Sequence, residues 1–216
     1  MVIFKPGISR KLLCRVAMVP VFALAITSCA STSSSSSPAR IEIQEDVGFT
    51  ITEEARISSS ARTDYDAALT LLEQGNHEQG IAILEAVAES EPDLGAPRID
   101  LGVAYHRIGN LEAAEQNLLR ALVSNPGHPI AHNELGIVYR KTGRFAEARQ
   151  SYEAALAIYP GYHFARRNLA VLCDLYLADL NCALQNYEEY MATVPSDDEA
   201  SMWISDIRYR MDQAEE

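Results

Sequence analysis

The sequence predicts an all-α protein: a right-handed solenoid of about four helix-turn-helix repeats, closed by one capping helix. Three observations predict it. First, 48% of the 216 residues are hydrophobic and 22% charged, enough for a real core and unlike a disordered composition. Second, one residue pattern recurs at an offset of 34 between 95–128 and 129–162, with weaker copies on either side across residues 61–197. Third, the stretch that follows the last copy places apolar residues at helical spacing, as a cover for an open end would.

The chain divides into a leader (1–28), a tether (29–40), an acidic segment (41–60), four repeats (61–94, 95–128, 129–162, 163–197) and a capping helix with its tail (198–216). The leader begins with Lys5, Arg10, Lys11 and Arg15 and has no acid. Val16 to Ile26 is an apolar run, shorter than the roughly 20 residues a membrane-spanning helix needs. A short apolar run behind basic residues is the pattern of a secretory signal. Ile26-Thr27-Ser28-Cys29-Ala30 follows, and this resembles the lipobox of bacterial lipoproteins. The resemblance implies cleavage before Cys29, a diacylglycerol thioether on its sulfur and an acylated amine, with palmitate as a chain of that type. Acyl chains contribute about 0.8 kcal/mol per buried CH₂, so three hold firmly. Ala30 stands where inner-membrane lipoproteins of enteric bacteria carry Asp. The resemblance therefore implies attachment to the periplasmic face of the outer membrane. An ordinary secretory signal with a chance cysteine is the plainer alternative. Ser31 to Pro38 is a flexible polar tether.

The whole chain carries 18 basic and 30 acidic side chains; without residues 1–28 the balance is 14 to 30, a net charge of −16. Such a field repels phosphate backbones, so nucleic acid is excluded as an expected partner. In the acidic segment, Thr50-x-x-Glu53 matches a capping box for a short helix.

Leu101-Gly102-x-x-Tyr105 recurs as Leu135-Gly136-x-x-Tyr139, Gly109 as Gly143, and Ala114, Ala121 and Pro126 as Ala148, Ala155 and Pro160. This resembles the tetratricopeptide repeat, whose signature places Trp, Leu, Gly, Tyr, Ala, Phe, Ala and Pro at fixed positions. Copies 95–128 and 129–162 carry six of those eight; Arg98 and His132 stand at the Trp position, and Leu118 and Tyr152 at the Phe position. Weaker copies flank them, and the fourth has one extra residue near Leu177–Ala178. In such a repeat small residues let two helices approach, glycine breaks the first helix, and Pro92, Pro126, Pro160 and Pro195 end the second. One repeat cannot bury its own apolar face, so neighbours stack. After them Ser196-Asp197-Asp198-Glu199 reads as a helix start, and Trp203, Ile204, Ile207 and Met211 as the covering face.

No catalytic or cofactor motif is present: no nucleophile elbow, phosphate-binding loop, Rossmann fingerprint or zinc-protease helix. Among His77, His106, His128, His132 and His163, only His128 and His132 share a helical face. A zinc site needs a third ligand and usually a fourth, so no metal is expected and these read as solvated helix-start residues. Acid pairs such as Glu188-Glu189 are adjacent, do not face each other on a helix, and read as solvated surface. Cys173 and Cys182 remain as an even pair in an oxidising compartment. They read either as a disulfide across a short turn or as two small buried apolar side chains.

In the repeat family, positions 2, 5, 9, 12 and 13 of each copy face a concave groove. Position 9 is Leu69, Val103, Ile137 and Val171, an apolar strip. Position 5 is Tyr65, Ile99, Asn133 and Arg167; position 12 includes His106, Arg140 and Asp174; position 13 includes Arg107 and Lys141. With Arg166, the cations Arg140, Lys141 and Arg167 form a local basic area. The surface suits a peptide or amphipathic helix with apolar anchors and acidic groups; the plainer alternative is that the aliphatics are ordinary inter-helix packing and the charges a solvated rim. Some family members clamp a C-terminal carboxylate with Lys, Asn and Arg; Asn133, Asn168, Lys141 and Arg167 supply those residue types at other positions. The layout resembles repeat lipoproteins of type IV and tight-adherence pili, and others that serve peptidoglycan enzymes. That resemblance implies a non-enzymatic adaptor, bilayer-anchored through Cys29, whose partner is another envelope protein or a peptide segment of one. The alternative is a periplasmic client-binding or chaperone module of a transport or secretion system.

Overall fold

The computed structural model describes residues 40–44, 50–54 and 57–214. Cys29, the leader and most of the tether lie outside the described residues. The first element is a hairpin: β1 (Arg40–Gln44) pairs antiparallel with β2 (Thr50–Glu54), with Ile43 opposite Ile51. Thr50 and Glu53, expected to cap a short helix, lie instead in β2. The reason is period: Ile41 and Ile43, then Thr50 and Thr52, put β-branched residues at every second position, which favours a strand.

The remainder is helical, as the 34-residue period predicts. The four repeats are α1 (Ser59–Glu73) with α2 (His77–Ser90), α3 (Ala96–Arg107) with α4 (Leu111–Ser124), α5 (Pro129–Lys141) with α6 (Phe145–Ile158), and α7 (His163–Leu175) with α8 (Leu180–Thr193). The last helix, α9 (Asp198–Ala214), packs on α8. No described helix is long and apolar enough to cross a membrane.

Local chemistry explains each boundary. Gly109 and Gly143 turn the chain between paired helices at φ of 82° and 77°, in the left-handed region that side chains avoid. The fourth repeat lacks that glycine. Ala178 holds the positive φ instead, in a turn one residue longer, and a Cys173–Cys182 disulfide clips the two helices beside it with Cα atoms 5.8 Å apart. The residue before each repeat-ending proline leaves helical geometry: Glu91, Asn125, Tyr159 and Val194 have φ between −126° and −142°. Asp197 starts α9 by accepting the Ala200 N–H at 3.0 Å.

Small residues set the helix crossings. A Cβ on Gly102 would lie 2.5 Å from Leu118 Cγ, and one on Gly136 would lie 2.5 Å from Tyr152 Cε1. Leu118 and Tyr152 are fully buried there. The core is divided along the solenoid, as expected when repeats touch only their neighbours. One cluster joins α1 and α2 to α3, a second joins α3 and α4 to α5, and the largest runs from α6 to Ile204 and Ile207 of α9.

Candidate functional site in the concave groove

The first helices of the repeats, α1, α3, α5 and α7, line one side of the stack. Of the residues expected to form the groove, Leu69, Val103, Ile137 and Val171 are half-buried and lie at one level on the four helices. Two cavities open there. One of about 500 Å³ is lined by Ile99, Val103, Ile130, Ile137 and Phe164 among others. The second, about 210 Å³, lies towards Leu69 and Leu72. They share Asp100, Val103 and Arg107, so they form one continuous depression across α1, α3, α5 and α7. Phe164 is 53% exposed, an aromatic left uncovered at its edge.

Position 5 does not serve as expected. Tyr65, Ile99 and Asn133 are 1%, 1% and 2% exposed, so they form the bed of the groove rather than its contact surface. Each sits one helical turn before the strip residue above it and is covered by the adjacent first helix. Arg167, at the same position in the fourth repeat, is half-exposed, with Glu199 and Trp203 of α9 against it.

The basic area is also smaller than expected. Arg166 turns to the other side, pairing with Glu189 at 2.6 Å and donating to the Pro160 carbonyl at 3.0 Å. Arg167 meets Glu199 at 3.3 Å and lies over the Trp203 ring at 5.1 Å. Arg140 donates to the Tyr176 hydroxyl at 3.4 Å. Burial works against the Arg140 charge, but the neighbouring Tyr152 and Tyr176 hydroxyls hold its pKa above the usual value. The cations that remain open lie at the C-terminal ends of α3 and α5: Arg107 and Lys141 are exposed. Burial, then Lys141, Arg107 and Arg140, push the His106 pKa down.

Two groove residues were missed by reading from the family's positions. Asp100 and Glu134 occupy position 6 of the second and third repeats, 34 apart, and both line the larger cavity. The Tyr65 hydroxyl donates to Asp100 Oδ2, and Asn133 Nδ2 donates to Glu134 Oε1 at 3.0 Å. Burial raises the Asp100 pKa to about 6, against the pull of the Tyr65 hydrogen bond and of Arg107. Burial raises Glu134 as well, opposed by the Asn133 hydrogen bond and Arg107. The repeat register itself was the available signal, because acids recur at Asp66, Asp100 and Glu134.

The residues considered for a carboxylate clamp are arranged otherwise. Asn168 Nδ2 donates to Asn133 Oδ1 at 2.9 Å, and Asn133 passes its own donor to Glu134, so these amides satisfy one another beside a carboxylate. A guest carboxylate at that point would meet Glu134 first.

The other candidates are structural. His128 is fully buried, not solvated: its Nδ1 accepts the Ala131 N–H at 3.4 Å and caps α5. Burial, with a smaller push from His132, lowers its pKa to about 4. Glu188 and Glu189 are paired with Arg208 and Arg166, both at 2.6 Å. Trp203 packs on Tyr187 with ring centroids 5.2 Å apart, part of the cover over the last repeat. Cys173, Cys182 and Asp179 lie together, but both sulfurs are spent in the disulfide and are not thiolate ligands.

A tetratricopeptide-repeat family model matches residues 65–128 and 99–163. Comparison with curated proteins returns no match. Among solved structures, the chain is similar to MamA from Desulfovibrio magneticus RS-1, at 20% identity and TM-score 0.64 over 73% of this chain and 88% of that one. It is similar to Pseudomonas aeruginosa PilF at 20% identity and TM-score 0.64, over 71% of this chain and 69% of that one. It is also similar to the first repeat domain of Spaghetti (RPAP3), solved with the HSP90 peptide SRMEEVD, at 20% identity and TM-score 0.52 over 54% of this chain and 94% of that one. Residues 65–163 are therefore tetratricopeptide repeats, and the chain has the tetratricopeptide-repeat fold.

Proposed function

We propose that this protein is a non-enzymatic, lipid-anchored adaptor of the bacterial cell envelope, which recruits another envelope protein by holding a segment of it in the concave groove. The observation that carries the reading is the continuous depression built on Val103 and Ile137, with Phe164 uncovered at its edge. A fold of this kind protects apolar side chains where stacking allows; those it leaves open along one face are available to a partner. The solved complex of Spaghetti with an HSP90 peptide supports segment binding as a use of the fold. The lipobox-like Ile26–Cys29 and the serine tether support anchoring at the periplasmic face of the outer membrane. The Cys173–Cys182 disulfide supports an oxidising compartment.

The test is a crosslinking pull-down from intact envelopes, with an Ile137→Glu variant beside the unaltered chain. One stoichiometric envelope protein, captured by the unaltered chain and lost in the variant, is the expected result. Equal capture by both would place the partner's site elsewhere. Many weak and variable partners would favour a client-binding module instead.

A further inference from the structure

We infer that the groove's guest is an amphipathic segment with basic residues along one edge of its apolar face and acidic residues along the other. This rests on the groove reading above and adds the chemistry of the occupant. The 34-residue register turns equivalent positions of α3 and α5 into parallel lanes. Asp100 and Glu134 make an acidic lane on the N-terminal halves of these helices. Val103 and Ile137, three residues on, make the apolar lane. Arg107, Arg140 and Lys141 make a cationic lane at the C-terminal ends. Asp100 and Arg107 are seven residues apart, or about 10 Å along the axis, which matches the width of one helix with its side chains. A segment lying along the groove and centred on the apolar strip therefore has both charged lanes at its edges.

Charge complementarity selects the occupant. Among the described residues, Asp100 has the Tyr65 hydroxyl and Glu134 the Asn133 amide, and neither forms an ion pair. Both are carboxylates partly withdrawn from water and, among the described residues, without a cation in contact. An acidic guest would add to that cost, and a uniformly basic guest would be repelled by exposed Arg107 and Lys141. A two-edged guest meets both lanes with the opposite sign. At the end of the stack α9 also answers charge with opposite charge, at its two ends rather than along two edges. From α9, Glu199 meets Arg167 at 3.3 Å and Arg210 meets Asp174 at 2.5 Å, with Trp203, Ile204 and Ile207 between them. In the fourth repeat the signs of the groove are reversed, and α9 carries the complementary order.

The experiment uses the full 216-residue chain in detergent solution and three fluorescein-labelled, blocked 18-residue helical peptides. All share one leucine-rich face; one has Lys on one edge and Glu on the other, one has Lys on both edges, one has Glu on both. Binding is read by fluorescence anisotropy at pH 7.5. The two-edged peptide is expected to bind about tenfold more tightly than either single-sign peptide. In the Asp100→Asn/Glu134→Gln variant, checked for folding by circular dichroism, that advantage over the all-Glu peptide should disappear. Equal affinities, tightest binding of a single-sign peptide, no binding of any peptide, or an advantage that survives in the double variant would overturn the inference. The Ile137→Glu variant separates this from the groove reading: it should weaken every peptide that binds, and binding untouched by it would overturn the groove itself.

Discussion

Asp174 and Asp100 are both aspartates on the first helices of the repeats, and they live in different circumstances. The Asp174 side chain is 8% exposed and Arg210 from α9 pairs with it at 2.5 Å. Among the described residues, Asp100 has the Tyr65 hydroxyl as its direct partner, and its pKa is raised. The surroundings differ in the same way. Around the fourth repeat, the disulfide joins α7 to α8, Arg149 ties Asp179, Arg208 ties Glu188, and the largest core cluster continues into α9. Around α3 the groove is open, with apolar and charged groups left side by side. The C-terminal end of the stack is finished by its own chain, whereas the middle leaves comparable chemistry unanswered. Among the described residues, the fold supplies a counter-ion to Asp174 and none in contact with Asp100.

The sharpest contrast should appear on truncating side chains at the two places. Tyr187 is 2% exposed and packs under Trp203, so Tyr187→Ala should cost about 3–4 kcal/mol. Val103 is half-buried in the groove, and Val103→Ala should cost about 1 kcal/mol or less. Urea unfolding of both variants measures this; similar losses would mean that the groove is as much core as the capped end.

Next in size is the disulfide. Its cysteines are nine residues apart, and closing so short a loop contributes roughly 2.5 kcal/mol in the chain-entropy model. A reductant should therefore lower the unfolding midpoint and loosen α7, α8 and α9 before α1 to α3. Hydrogen exchange with and without reductant reads the order directly. Uniform loosening along the stack would contradict a locally clipped end.

His128 lies between the two regions and gives an acid response. Its folded pKa is lowered to about 4 by burial, against an unfolded value near 6.5. A depressed value means that the unfolded chain binds the proton first. The neutral ring's contribution is fully present above pH 6.5 and is lost as pH falls towards 4, a change of about 3 kcal/mol. Thermal melts from pH 7 to pH 4 should show this decline, and His128→Asn should flatten it.

Much of this was legible from spacing. The 34-residue offset located the middle repeats, the second-helix spacing the flanking ones, and Leu177–Ala178 marked the longer turn where Ala178 replaces glycine. The hairpin departs from the helix start that Thr50-x-x-Glu53 suggests, because the two-residue alternation of β-branched residues in the same segment favours strands. Within the groove, the strip at Val103 and Ile137 followed from register. How deep each neighbouring position lies did not, because depth depends on the adjacent helix: Tyr65, Ile99 and Asn133 are covered while Arg167 is not. Nor can one-dimensional spacing tell a free cation from a spent one. Arg166 and Arg167 are adjacent, yet one braces α8 and the other α9.

The finest test compares Asp100 with its paired counterpart. Asp100 ionises in the folded state only at about pH 6, whereas an unfolded aspartate ionises near 3.8. The folded state therefore holds the proton longer, and stability falls as pH rises from about 4 to about 6. Above pH 6 the charged carboxylate is a standing cost, which its remaining exposure limits to about 1 kcal/mol. Asp100→Asn keeps an acceptor for Tyr65 and removes the charge, so it should stabilise the protein by about that amount at pH 7.5 and by nothing at pH 4. Asp174→Asn should do the opposite at pH 7.5, because it deprives Arg210 of its close partner. If Asp100→Asn both stabilises the chain and weakens the two-edged peptide, the cost is tied to binding. Loss of stability at pH 7.5 would instead make Asp100 an ordinary part of the α1–α3 packing.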